Sequence, residues 1–445
     1  MAAESDETLH ERLDAIQAKI GQRIEVVHNL ARIKSGIQRQ LNDRHDPVAR
    51  LPVELSSKIF THCVPSRNEY GTLSAAILLI RICSSWTEIA LFTPSLWANL
   101  HIDIPASELT SEWTAYLAAW LARGRQYPLL LSVSGPSTIS HTEIMRLIIA
   151  HAHHIRVLEV QPQTYLGVFL PYEHGAVAVF PILEFVDVYL PNHGWRTLEV
   201  DRVVHALKAS PKLQGFYMGT GDMTDGVFSE APVPFRHHGL TTLNLSESRY
   251  ACLFLLPYLT LPSLLHLEIM IEEPMEDVNG VISFINRSSP PLEELNLNAT
   301  NSEWPRDAAE RLLDAVPGLF TFSLWNGSKV QETFMELLFL QVRDLLGSHV
   351  YLPTLEELIF TVYEPWPATE WYTKLTGLLD SRSSTLKYAT VVFNEWEEGQ
   401  AQPTSPKVED KQILRNLIAK GMQIDLGPLT ICLDESAPLG QTEEH

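Results

Sequence analysis

Pro262-Ser263-Leu264-Leu265-His266-Leu267-Glu268-Ile269 and Pro290-Pro291-Leu292-Glu293-Glu294-Leu295-Asn296-Leu297 are two copies of one pattern. A proline or polar residue comes first, then a leucine, two further residues, an apolar residue, one residue and another apolar residue. The same order returns at Pro181 to Val188, Pro211 to Met218, Pro317 to Leu324 and Pro353 to Phe360. Weaker copies lie at Ile155 to Val160, Leu240 to Leu245 and Leu386 to Val391, and Tyr127 to Val133 and Leu426 to Ile431 read as terminal units. The last two apolar positions are two residues apart, so on a strand they point to the same face. The first leucine turns inward just ahead of the strand.

The copies recur mostly about 24 to 31 residues apart. The gap from Leu319 to Leu355 is longer and marks an insertion. The intervals carry amphipathic helices, such as Ile144 to Ala150, Val203 to Ala209, Ala308 to Val316 and Phe334 to Leu346. Each strand–helix unit leaves an apolar face open until its neighbour covers it. The expected fold is α/β, with a curved parallel sheet over residues 101–433. It resembles an irregular leucine-rich-repeat solenoid, although the Asn or Cys that usually follows the strand is mostly missing. An α/β domain that merely repeats is the alternative.

In such a solenoid the strand positions between the inward ones face the inner curve. One row reads Val157, Phe185, Gly215, Thr242, His266, Glu294, Thr321, Glu357 and Tyr388. The next reads Glu159, Asp187, Tyr217, Asn244, Glu268, Asn296, Ser323, Ile359 and Thr390, and a third includes Tyr189, Met270, Asn298 and Trp325. The mixture is polar and acidic with aromatic anchors, which suits a protein partner. The candidate target-binding residues are therefore Asp187, Tyr189, Tyr217, Glu268, Glu294, Asn296, Trp325 and Glu357. A solvated sheet face without a ligand is the plainer reading.

Upstream of the repeats stands Leu51-Pro52-Val53-Glu54-Leu55-Ser56-Ser57-Lys58-Ile59-Phe60, followed by Ile82-Cys83-Ser84-Ser85-Trp86-Thr87-Glu88-Ile89-Ala90 and Leu96-Trp97. Pro52 suits a first helical turn, where its missing N–H has no partner to lose. Leu55, Ile59 and Phe60 fall on one side of that helix, and Ile82, Trp86, Ile89 and Ala90 recur at helical spacing on another. Small helices of this kind cannot bury all their apolar surface against each other. The order of anchors resembles an F-box, whose pattern is Leu-Pro-x-Glu-Leu, Ile-Phe, Val-Cys-x-x-Trp, Leu-Trp. The resemblance covers residues 46–100. The chain departs from it in a longer link from Pro65 to Ser74, and in Ser84-Ser85 where basic residues often stand. With the helix before it and the repeats after it, the layout is similar to that of the large fungal F-box family.

That resemblance implies a substrate-recognition adaptor of a Skp–cullin–F-box ubiquitin ligase, cytoplasmic or nuclear. Leu51, Pro52, Val53, Leu55, Ile59, Phe60, Ile82, Cys83 and Trp86 would bind a Skp-type adaptor and through it a cullin. The repeats would recruit a protein target. A non-catalytic scaffold that joins no ligase is the alternative.

Residues 8–44 read as one helix within an N-terminal segment 1–45. Leu9, Leu13, Ile16, Ile20, Val27, Leu30, Ile37 and Leu41 alternate by three and four, interrupted by Arg23 and Lys34. This spacing supports a short coiled coil, and weak self-association through residues 9–41. Asp46-Pro47 ends the helix.

Composition narrows the function classes. The 445 residues are 45% hydrophobic, with a formal net charge of −21. Nucleic-acid binding is led by Lys and Arg, so it is not expected. The four cysteines, Cys63, Cys83, Cys252 and Cys432, are scattered without a C-x-x-C, which fits free thiols in a reducing compartment. Met1 to His10 lacks the features of a secretory signal. No apolar run approaches the roughly 18 residues that span a bilayer, so no membrane association is expected. The Asn-x-Ser/Thr matches at Asn244, Asn286, Asn298 and Asn326 are then chance.

No nucleophile elbow, H-E-x-x-H or phosphate-binding P-loop occurs. Gly219-Thr220-Gly221-Asp222 misses a dinucleotide fingerprint. His151, His153 and His154 read as a polar helix end, where histidine suits the dipole. No cofactor, metal or catalytic activity is expected. Residues 400–412 read as an exposed loop and 434–445 as an acidic tail.

Overall fold

The computed structural model describes residues 6–63, 75–104, 111–125, 127–135, 142–160, 179–190, 200–220, 234–247, 249–299, 304–326, 328–343, 351–362, 368–393 and 406–427. The link from Pro65 to Ser74 and the tail 434–445 lie outside them. The chain forms two compact units: Met1–Leu100 with Ala115–Tyr127, and His101–Thr114 with Pro128–His445.

The first unit is helical. Helix α1 (Asp6–His45) is followed by α2 (Val53–His62), α3 (Ala75–Leu79), α4 (Ser84–Leu91) and most of α5 (Ser111–Gly124). Asp46 stops the first helix and ties the next turn to α4. Its Oδ1 accepts from Val48 N at 2.8 Å, and its Oδ2 accepts from Trp86 Nε1 at 2.7 Å. The centre is built on aromatic rings. Phe60 and Trp86 lie 4.9 Å apart, and Trp97 and Trp120 meet edge-on at 4.8 Å. Each buried indole N–H has an acceptor, Trp97 on Ala90 O at 2.8 Å and Trp120 on Trp97 O at 3.1 Å, so the burial carries no unpaired donor.

The second unit is α/β. Its strands are β1 (Asn99–Asp103, which begins in the first unit), β2 (Leu129–Ser134), β3 (Ile155–Val160), β4 (Phe185–Leu190), β5 (Gly215–Thr220), β6 (Phe235–Arg236), β7 (Thr242–Leu245), β8 (Leu259–Thr260), β9 (His266–Ile271), β10 (Glu294–Ala299), β11 (Thr321–Asn326), β12 (Glu357–Val362), β13 (Tyr388–Phe393) and β14 (Gln423–Asp425). Twelve of them form one sheet in chain order, and β6 pairs with β8 in a separate short ladder. From β2 to β14 every neighbouring pair runs parallel. Crossovers hold α6 (Thr142–Ala150), α7 (Val200–Lys208), α8 (Arg249–Leu255), α9 (Pro274–Ser288), α10 (Arg306–Ala315), α11 (Ser328–Arg343), α12 (Thr369–Ser381) and α13 (Val408–Ala419). Consecutive helices from α7 to α13 pack on each other. The architecture is a stack of strand–helix units, like a solenoid.

One backbone device recurs in the stack. Just before each of the sheet strands from β5 to β13, two successive N–H groups donate to a single carbonyl of the previous unit. Leu265 and His266 donate to Thr241 O, Glu293 and Glu294 to Leu265 O, Phe320 and Thr321 to Glu293 O, Glu356 and Glu357 to Phe320 O, and Lys387 and Tyr388 to Glu356 O. Leu264, Leu292, Leu319 and Leu355 each stand immediately before such a pair of N–H groups and are all buried, so they occupy equivalent positions. Leu267, Ile269, Leu295, Leu297, Phe322, Leu324, Leu358 and Phe360 form the inward row. The helices pack against that row: Phe322 meets Phe334 of α11, and Phe360 meets Trp371 of α12.

The structure corrects two sequence readings. Of the expected loop 400–412, residues 400–405 lie outside the described set, and 408–412 are not loop, because α13 starts at Val408. The Asp410 carboxylate accepts from Lys407 N at 3.3 Å and from Thr373 and Thr376 at 3.0 Å each, so a buried acid organises part of what read as an exposed loop. The last strand is Gln423–Asp425, ahead of the expected terminal unit at 426–431, of which residues 428–431 lie outside the described set.

Candidate functional site

Two surfaces stand out, one on each unit. On the first, α2 inverts the usual helix pattern. Its buried stripe is Ser56 and Phe60, and its outward stripe is Leu55 and Ile59. Ser56 can be buried because its hydroxyl donates to carbonyls of Val48 at 3.3 Å and Pro52 at 3.4 Å. Phe60 is held against Trp86. Thr93 ties the segment after α4 back to α2 through Ser57 Oγ at 2.9 Å. With the centre filled, Leu51, Val53, Leu55, Ile59 and Ile82 are left 39–55% exposed. Pro52 is exposed beside them, Cys83 and Trp86 are half-buried, and Phe60 belongs to the core. Leu78 and Phe92 add to the exposed apolar set, a contribution that the F-box pattern does not list. These exposed apolar residues lie on or next to α2, α3 and α4.

On the second unit, the outward rows expected from sequence align strand by strand. Phe185 pairs with Gly215, Gly215 with Thr242, Thr242 with His266, His266 with Glu294, Glu294 with Thr321, Thr321 with Glu357 and Glu357 with Tyr388. The row holding Asp187, Tyr217, Asn244, Glu268, Asn296 and Ser323 is likewise in register. In the third row, Met270, Asn298 and Trp325 align. Tyr189 is opposite Gly219.

These side chains form a polar ladder. Asn244 Nδ2 donates to Glu268 Oε2 at 2.7 Å, and Asn296 Nδ2 donates to Glu294 Oε1 at 2.9 Å. His266 Nδ1 lies 2.8 Å from Glu294 Oε2. Asn298 Nδ2 reaches past β9 to Ser246 O at 3.1 Å. Thr321 Oγ1 donates to Glu357 Oε2 at 3.1 Å, and Trp325 Nε1 to Ser323 Oγ at 3.0 Å. Burial pushes the Glu268 carboxyl above the usual range, and the nearby Glu294 and Glu247 charges push the same way. Hydrogen bonds from Ser246 and Asn296 hold it down in part.

At one end an aromatic platform begins. The rings of Phe185 and Tyr217 lie 4.7 Å apart. Gly215 makes room for this pair, because a Cβ there would sit 2.6 Å from the Phe185 ring.

His151, His153 and His154 follow α6 as expected, with the rings of the last two 3.8 Å apart. Burial and the neighbouring histidines lower the pKa of His151. Among the described residues no group of three or more His, Cys, Asp or Glu is placed to hold a metal ion, and no helix is long and apolar enough to cross a membrane. The sequence matches no protein-family model and no curated protein, so the reading rests on this chain's own residues.

Proposed function

We propose that the protein is a substrate-recognition adaptor of a cullin-type ubiquitin ligase. Its F-box-like first unit docks on a Skp-type adaptor, and its leucine-rich-repeat-like second unit captures a protein target. The observation that carries this reading is the inverted α2, with Leu55 and Ile59 outside and Ser56 and Phe60 inside. A helix gains nothing in the free protein by showing leucine and isoleucine to water while it buries a serine. The arrangement gains stability only when a partner covers the outer stripe. Leu51, Pro52, Val53 and Ile82 extend that stripe, and Cys83 and Trp86 support it from half-buried positions.

The test is a pull-down with a purified Skp-type adaptor. Replacing Leu51 and Pro52 together by alanine abolishes capture on this reading. Pro52 precedes the first residue of α2, so a second pair, Leu55→Ala with Ile59→Ala, separates lost docking from a damaged helix. Wild-type capture by both folded variants would overturn the docking mode. It would leave a scaffold that joins no ligase as the better reading.

A further inference from the structure

Helix α1 is continuous from Asp6 to His45, and the large apolar side chains described along it are uncovered. Leu13, Ile16, Ile20, Ile24, Val26, Val27, Leu30, Ile33, Ile37 and Leu41 are all 50–61% exposed. Ten such residues amount to on the order of 1,000 Å² of apolar surface, more than the few hundred Å² a monomer usually leaves in one patch. The seam positions alternate as Leu13, Ile16, Ile20, Arg23, Val27, Leu30, Lys34, Ile37 and Leu41. Ile24, Val26 and Ile33 flank this seam and widen it at its centre.

The charges select the partner and its direction. A basic amphipathic helix on a lipid surface needs a polar side rich in Lys and Arg. Here the side away from the seam is mixed, with Glu11, Asp14 and Glu25 beside Arg32 and Arg39. A second copy fits the stripe, but not in parallel register. Parallel pairing would set Arg23 against the partner's Arg23, and Lys34 against the partner's Lys34, inside the seam. Antiparallel pairing with Lys34 against the partner's Arg23 fails for the same reason.

We propose that two copies pair through α1 as an antiparallel coiled coil centred on Glu25. In this register Leu13 meets the partner's Ile37, Ile16 the partner's Lys34, Ile20 the partner's Leu30, and Arg23 the partner's Val27. Each basic residue lies on an apolar one with its stem packed and its charge at the rim. A single polar seam residue commonly fixes orientation in this way, at some expense in affinity. Ile24 and Val26 meet their own counterparts beside the two-fold axis. The pairing is independent of adaptor docking by the first unit.

The test uses the full chain with its four native cysteines replaced by alanine. Sedimentation equilibrium gives the state of association, and spin labels at E11C and E25C give the direction. The expected result is a reversible dimer in which the Glu25 labels lie at one height along the axis, on opposite outer faces and separated only by the width of the two helices. The Glu11 labels are then offset by about 42 Å along the axis, at 1.5 Å per residue. Arg23→Leu with Lys34→Leu strengthens association about tenfold or more and relaxes the direction. Equal distances at the two sites would overturn the antiparallel register. A chain that stays monomeric at about 100 µM would overturn the pairing. A monomer that floats with anionic vesicles would reassign the stripe to a lipid surface.

Discussion

The two units solve opposite surface problems. The second hides every leucine that opens a unit and spends its outer face on a connected polar ladder. The first fills its centre with Phe60, Trp97 and Trp120 and leaves Leu51, Val53, Leu55, Ile59 and Ile82 in water. On the proposed reading, apolar residues of the second unit report on folding and its polar ones on recognition, whereas the outer apolar residues of the first report on recognition. The same substitution, leucine to alanine, should therefore read out differently in each.

The largest expected effect sharpens that contrast. Leu295 is fully buried, so Leu295→Ala leaves a cavity and costs roughly 2–5 kcal/mol of stability. Leu55→Ala, at an exposed site, changes stability by no more than about 0.5 kcal/mol. Paired denaturant titrations check both, and equal losses would break the comparison. Next comes binding. Leu55→Ala with Ile59→Ala weakens adaptor affinity about 30-fold or more, measured by calorimetry, while the melting temperature stays put.

A smaller loss is expected at Arg382. This buried side chain donates to Leu338 O at 3.1 Å, Leu352 O at 2.8 Å and Tyr351 O at 2.7 Å, and burial lowers its pKa to about 10. It ties α11 to the turn before β12. Arg382→Leu leaves acceptors unpaired and costs about 1–3 kcal/mol. Faster hydrogen exchange at residues 351–362 than at 266–299 would locate the damage.

The smallest effect has the opposite sign. The Glu268 carboxyl is raised in the folded chain, so its ionised form opposes folding, and stability rises as pH falls through the raised value. Glu268→Gln should then stabilise the protein slightly at neutral pH. The gap should close on acidification, as followed by melting temperature against pH. Reversing Glu268 and Glu294 to lysine should weaken capture of a basic target most at low salt, where screening is least. Salt-independent capture would leave the ladder a solvated face.

Much of the second unit was legible because its signal is redundant. A leucine, an alternation of two and a repeated interval agree at each strand, and one misread copy does not move the others. The register of Glu268 beside Asn296 and Asn244 followed from counting alone. What counting missed depends on single long-range bonds. Asp410 reads as one more surface acid until Thr373 and Thr376 arrive beside it. On α2 the spacing puts Leu55, Ile59 and Phe60 on one side, whereas only Phe60 turns in. Ser56 shares its stripe and satisfies its hydroxyl on Val48 and Pro52. Hydrophobicity alone points the helix the wrong way round. Trp120 gave no signal either, since its acceptor, the Trp97 carbonyl, lies 23 residues away.

The paired N–H groups that open the sheet strands from β5 to β13 also bear on how such a chain can change in length. The spacing across the ladder is 24 residues from Asn244 to Glu268, 28 from His266 to Glu294 and 36 from Thr321 to Glu357, yet the outward rows stay in register over these strands. Insertions and deletions are absorbed on the helical side, because each strand takes its alignment from the carbonyl beside it. Lineages could lengthen, shorten or duplicate whole units without scrambling the order of displayed side chains. A recognition surface of this kind can diverge by recombination of units as readily as by point substitution.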